Sequence, residues 1–175
     1  MDKTMQWETD RLDIRFARYD DIKLIMQWEN DPQNRDFVWQ GTWEEHIKEI
    51  NHPDYALLIF SDKASHTTIG YSLIWINRHS NWAELRRLVV SEKGKGYGKE
   101  ALSAVMEFLF RVIKVNKVWL DVYPINRVAI QLYEGIGMKR DGVLRENFYS
   151  DTLGYLDQIV YSILKSEFDN REVTK

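Results

Sequence analysis

The run Glu92-Lys93-Gly94-Lys95-Gly96-Tyr97-Gly98-Lys99 has the residue types and the spacing to hold an anion. Alternate glycines let successive backbone N–H groups turn toward one point. A helix starting there offers unsatisfied N–H groups and the positive end of its dipole, and Lys93, Lys95 and Lys99 add charge. A diphosphate suits such a cradle. A Walker A loop does not fit, because it needs G-x-x-x-x-G-K-[ST]. A dinucleotide G-x-G-x-x-G would need a further glycine after Gly98, where Lys99, Glu100 and Ala101 stand. The competing reading is a flexible helix entry with solvated lysines.

The cradle needs a strand before it and a helix after it, and both are legible. Residues 83–90 form an apolar strand that delivers the loop, and Leu102, Val105, Met106, Leu109, Phe110 and Ile113 fall on one helical stripe suited to packing on a sheet. Residues 118–122 read as a buried strand ended by Pro124. Asn126 is placed to cap a helix over 127–134, which Gly135 and Gly137 stop. Upstream, residues 11–16 alternate as a half-buried strand. Asp20 is placed to cap a helix with Ile22, Ile25, Met26 and Trp28 on its apolar side, and Asn30-Asp31-Pro32 ends it. Thr42 caps a second helix over 43–50. Residues 55–60 and 68–77 make a hairpin, and 139–144 with 156–164 make an antiparallel pair around a polar-aromatic loop over 145–155.

A chain of 175 residues buries roughly two-thirds of its unfolded surface in one core. One domain over 1–168 with a frayed tail over 169–175 is therefore expected. Hydrophobic residues at 44% and seven tryptophans argue against disorder. The net charge of −3 is interspersed, which gives no basic face for a nucleic acid. With no cysteine there is no disulfide, thiol nucleophile or thiolate metal site. His46, His52, His66 and His79 lack metal-site spacing and read as solvated or locally hydrogen-bonded, so no metal is expected. No apolar run approaches the ~18 residues that span a membrane. A cytoplasmic protein with no membrane partner is expected, with a homodimer left open.

Two ordered motifs carry a resemblance. Lys93-Gly94-Lys95-Gly96-Tyr97-Gly98 matches [Q/R]-x-x-G-x-[G/A] with lysine in first place, and Asn126, Ala129, Leu132, Tyr133, Glu134, Gly137 and Met138 match a later motif. The chain resembles the GNAT superfamily of acetyl-CoA-dependent N-acetyltransferases. Its opening, Thr9-Asp10-Arg11-Leu12 with Trp28-Glu29-Asn30-Asp31-Pro32, more loosely resembles the branch that acetylates ribosomal-protein alanine and spermidine. The resemblance implies an α/β (α+β) fold, with a mixed, mostly antiparallel sheet of about seven strands and helices on both faces. It also implies direct acetyl transfer from acetyl-CoA to a primary amine of a protein N-terminus, a polyamine or another small amine. Residues 93–99 (Lys93, Gly94, Lys95, Gly96, Tyr97, Gly98, Lys99) would hold the pyrophosphate. The backbone of Leu88, Val89 and Val90 would take the pantetheine, with Asn126 as cap and pantetheine contact. Tyr133 would protonate the leaving thiolate. Glu84 and Asp121 are rival candidates for the base, with Glu84 ranked slightly first. One departure is the connector Ser91-Glu92-Lys93, shorter than usual and without the family's proline.

The acceptor is expected between the first two helices and the 145–155 loop. There Trp28, Trp39 and Tyr149 lead an aromatic set with Phe37, Trp43, Phe148 and Tyr155, among acids such as Glu44 and Asp151 that favour a cationic amine. A non-catalytic acyl-CoA-binding regulator is the alternative, which would keep the cradle and Asn126 but have no use for Tyr133 or Glu84.

Overall fold

The computed structural model describes residues 1–172. In chain order the elements are β1 (Gln6–Glu8), β2 (Leu12–Phe16), α1 (Ile22–Asn30), α2 (Trp43–Asn51), β3 (Tyr55–Asp62), β4 (Thr68–Asn77), β5 (Trp82–Val90) and α3 (Tyr97–Glu107). Then follow a π-helical stretch (Phe108–Ile113), β6 (Lys117–Val122), α4 (Arg127–Gly135), β7 (Lys139–Ser150), β8 (Gly154–Leu164) and α5 (Lys165–Glu172). The strands form one eight-stranded sheet in the order β1-β2-β3-β4-β5-β6-β8-β7. Every pairing is antiparallel except β5 with β6. That parallel step needs a crossover, and α3 supplies it.

Two apolar layers cover the sheet. On one face Leu102, Val105 and Leu109 pack with Ile14, Leu58, Ile74, Leu85, Val118 and Leu120, all buried, and α4 lies against this cluster through Ile130 and Leu132. On the other, Ile25 of α1 packs with Leu57, Ile59, Tyr71, Leu73 and Val89. Truncating a fully buried leucine such as Leu109 to alanine costs about 2–5 kcal/mol in such a setting. Thr42 caps α2 as expected, accepting from the Glu45 N–H while Glu45 reaches back to the Thr42 N–H at 2.8 Å.

Three sequence expectations change. The chain starts one strand earlier, with β1 on the sheet's edge. Residues 145–155 are not a loop: β7 runs on to Ser150 and β8 begins at Gly154, because the hairpin pairs Phe148 with Leu156 and Tyr149 with Tyr155. The tail is helical where it is described. Phe168 of α5 is buried and stacks on Phe110, and Asp169 is held by Lys165 and Arg111 at 2.7 Å each; residues 173–175 lie outside the described residues. No helix among the described residues is long and apolar enough to cross a membrane.

Candidate active site

β5 and β6 pair over three positions only, Trp82 to Glu84 against Lys117 to Trp119, and then part. Beyond that point Leu88, Val89 and Val90 stay paired with Ser72, Tyr71 and Gly70 of β4. Their opposite edge, with its N–H and C=O groups unpaired by strand, borders a cleft of about 1170 Å³. An extended polar chain can add to that edge as an extra strand. Gly70 belongs to the same construction, since a Cβ there would stand 2.4 Å from the Val89 carbonyl oxygen.

The glycine loop closes one end. Gly94 and Gly96 have φ of +75° and +81°, and Gly96 is the residue from which α3 starts. Gly94, Gly96, Gly98 and Lys93 line the cleft, and a Cβ on Gly94 would meet nothing within 4 Å. The helix end is thus bare of side chains where a diphosphate needs close backbone approach, so the residues present fit the anionic middle of acetyl-CoA. Lys93 holds its ammonium against Asn34 Oδ1 at 2.5 Å. The side chains of Lys95, Tyr97 and Lys99 do not line the cleft. Lys95 pairs with Glu92 at 2.6 Å. Tyr97 donates to Asp62 at 2.8 Å with the Arg11 guanidinium over its ring. The side-chain contact with a cofactor expected of these three therefore has no support in the cleft lining.

Across the cleft stands α4. Asn126 caps it by accepting from the Ala129 N–H at 3.2 Å and borders the cleft as well. Tyr133 lines the cleft while its ring leans on Tyr161, and its hydroxyl has no hydrogen-bond partner among the described residues. Burial, and then the charge of Asp121, push its pKa far above the ordinary tyrosine value, so the phenol keeps its proton throughout the working pH range.

Glu84 and Asp121 meet where the strands part, on the same face of the sheet. Burial raises the Glu84 pKa, Arg86 at 3.4 Å opposes this, and Asp121 adds to it. Burial also raises Asp121, against the pull of Arg86. Both carboxylates are therefore better proton acceptors near neutrality than free ones. Gln158 donates an amide N–H to Asp121 Oδ1.

On the acceptor side Trp39 borders the cleft and is 61% exposed. Trp28 does not reach it: on the inward side of α1 it stacks flat on Tyr71, ring centres 6.2 Å apart. Tyr149 also points away, packing edge-on to Tyr155 at 5.1 Å, because strand alternation turns its neighbour Phe148 to the cleft instead, against Tyr123 at 5.5 Å. Tyr55, Arg86, Tyr123 and Gln158 join the lining without standing out in the sequence. Strand phase alone could have singled out Tyr123 and Gln158. Arg86 could not be found that way, since it is the extra residue of a bulge in which Leu73 pairs with Arg87 and Ile74 with Leu85.

The segment carrying Trp39 is tied down by a buried ionic cluster. Glu29 and His46 are fully buried, so of the two readings expected for His46 the solvated one fails and the locally hydrogen-bonded one holds, through Glu49. His46 Nδ1 lies 2.7 Å from Glu49 and Nε2 3.2 Å from Glu29. Both partners are acceptors, so both ring nitrogens carry protons. Glu29 also accepts from Tyr71 at 2.6 Å and from the Gly41 N–H at 2.8 Å, while Arg87 reaches Glu29 and Glu49. Burial alone would lower the His46 pKa, but the two carboxylates raise it from 6.5 to about 9. A raised folded-state pKa gives stability that is complete below about 6.5 and lost as the pH rises through about 9. Thermal melts should show His46→Gln below the parent at pH 7, the gap closing above pH 9. A gap constant with pH would remove the imidazolium. Among the described residues no group of three or more His, Asp or Glu side chains is placed to hold a metal ion.

With this geometry in place, comparison with known proteins is direct. The family model described as "Acetyltransferase (GNAT) domain" matches residues 11–139. The chain is similar to a spermidine N(1)-acetyltransferase of Vibrio cholerae, 26% identical over 166 residues and 93% of each chain. It is also similar to the Escherichia coli K12 spermidine N(1)-acetyltransferase, 24% identical over 80% of this chain and 75% of that one. A solved spermidine N-acetyltransferase from Vibrio cholerae in complex with CoA and spermine has the same fold, with a TM-score of 0.83 at 23% identity, covering 93% of this chain and all (100%) of that one.

Proposed function

As a member of the GNAT acetyltransferase family, to which this chain belongs, the protein is an acetyl-CoA-dependent N-acetyltransferase, and we propose that its acceptor is a small polyamine-type cation acetylated by direct attack. The observation that carries this reading is the pair Glu84 and Asp121 at the parting of β5 and β6, with Tyr133 on the opposite wall. Trp39, Tyr55, Tyr123 and Phe148 line the same cleft as these two carboxylates. Aromatic faces beside carboxylates favour an ammonium-bearing chain. Kinship with spermidine N(1)-acetyltransferases points the same way.

Acetyl-CoA supplies an activated acyl group as a thioester. The backbone edge at Val89 and Val90 orients it and offers N–H groups to the charge that develops on the carbonyl oxygen. The loop over 93–98 and Asn126 hold the remainder. A carboxylate of the Glu84–Asp121 pair takes the proton of the attacking amine as the C–N bond forms. Tyr133 gives its phenolic proton to the sulfur as the C–S bond breaks. The test is incubation with acetyl-CoA and a panel of spermidine, spermine, diamines, monoamines and an N-terminal peptide, read by mass spectrometry. Acetylated polyamines are expected first. CoA binding without acetylation of any amine would overturn the reading, and turnover of the peptide alone would overturn its acceptor.

A further inference from the structure

β7 carries a second irregularity beside the cleft. Leu144 pairs with Gln158 and Phe148 with Leu156, so Arg145, Glu146 and Asn147 stand opposite the single residue Asp157. Glu146 sits at φ +49°, and its N–H donates to Asp157 Oδ1 at 2.9 Å. A non-glycine residue in that conformation is held there by its surroundings. The bulge brings Asn147 over the strand, where Nδ2 donates to Gln158 Oε1 at 2.5 Å. With its oxygen so occupied, Gln158 has only its N–H groups for Asp121, whose Oδ1 accepts one. The orientation of each amide follows from this chain, because an ionised carboxylate accepts and cannot donate.

The two cleft carboxylates are therefore held differently. Glu84 faces the permanent charge of Arg86, and a proton arriving on Glu84 would cost that ion pair. Asp121 also feels the Arg86 charge, but its hydrogen bond is to a neutral amide. We propose that Gln158, oriented by Asn147, is a positioning residue that presents Asp121, rather than Glu84, as the carboxylate receiving the proton of the acceptor amine. This rests on the acetyltransferase reading above and reverses the order in which the sequence ranked the two acids. The groups facing Asp121 are Glu84 and Arg86 from β5, Tyr123 just past the end of its own strand, Tyr133 from α4 and Gln158 from β8. Burial and Glu84 favour the protonated acid, whereas Arg86 and the Gln158 N–H favour the carboxylate.

The experiment pairs carbon-13 NMR titration of the Asp121 carboxyl, in protein without CoA, with the pH dependence of kcat. Gln158→Leu keeps the size and removes the donor. It should raise the Asp121 titration midpoint by about one to two pH units and carry the acidic limb of the rate profile up by the same amount, with the KM for acetyl-CoA and the CoA-induced melting shift at parent values. Asn147→Leu leaves Gln158 in place and should move both in the same direction by less. If Gln158→Leu leaves the Asp121 midpoint where it was, the pairing is refuted. If the midpoint moves and the acidic limb does not, or if Glu84→Gln abolishes the limb while Asp121→Asn keeps it, the proton goes elsewhere and the proposal falls. A parent protein that acetylates no amine refutes the reading above it, while the NMR titration still decides the Gln158–Asp121 pairing.

Discussion

Replacing Tyr133 with phenylalanine is expected to lower kcat roughly ten- to a thousand-fold and to leave acetyl-CoA affinity near the parent value. The lost interaction exists only when charge gathers on sulfur, so it belongs to the transition state and not to binding. Phenylalanine keeps the ring that leans on Tyr161, whose centre is 6.4 Å away, so core packing is preserved. Among the described residues the hydroxyl has no hydrogen-bond partner to leave unsatisfied. Acetyl donors with more acidic thiols need less help in departing, and with them the gap between Tyr133→Phe and the parent should shrink. A variant that matches the parent kcat with acetyl-CoA would reduce Tyr133 to packing.

Placing valine at Gly98 is expected to abolish the rise in melting temperature that CoA should confer on the parent. Gly98 lies in the first turn of α3 and borders the cleft, and a Cβ there would sit 3.8 Å from Leu132 Cδ2, in ordinary contact. The backbone tolerates the change, but the branched side chain occupies the space through which a diphosphate must reach the helix N–H groups. A ligand at a hundred times its Kd stabilises a fold by about 2.7 kcal/mol, so the loss is easily read in a melt. Gly96→Val should lose the same shift and also lower the melting temperature of the free protein, since its φ of +81° costs a residue with a Cβ about 1–2 kcal/mol. ATP should shift neither variant nor the parent. An undiminished CoA shift in Gly98→Val would place the diphosphate elsewhere.

The parts of this site that the sequence determined are those whose causes are local. Alternate glycines after an apolar strand specify a helix entry bare of side chains, because the left-handed turns at Gly94 and Gly96 and the helix start at Gly96 depend on residues within a few positions of one another. The Asn126 cap, and with it the place of Tyr133 on α4, follows from equally short spacing. The tertiary structure alone decided which side chains face the cleft beyond these elements. Periodicity assumes unbroken pairing, and two bulges beside the cleft interrupt it. In β5 the single extra residue Arg86 shifts the alternation, whereas in β7 three residues against one keep the parity but made 145–155 read as a loop, where no alternation chooses Phe148 over Tyr149. The cluster of Glu29, His46, Glu49 and Arg87 was illegible for a related reason. A charge becomes cheaper to bury only when its partners arrive from distant segments of the chain, and no one of the four residues carries that information alone. The parting of β5 from β6 belongs with these, since three paired positions followed by a gap record how far two strands and their helices pack together, which no stretch of either strand encodes by itself.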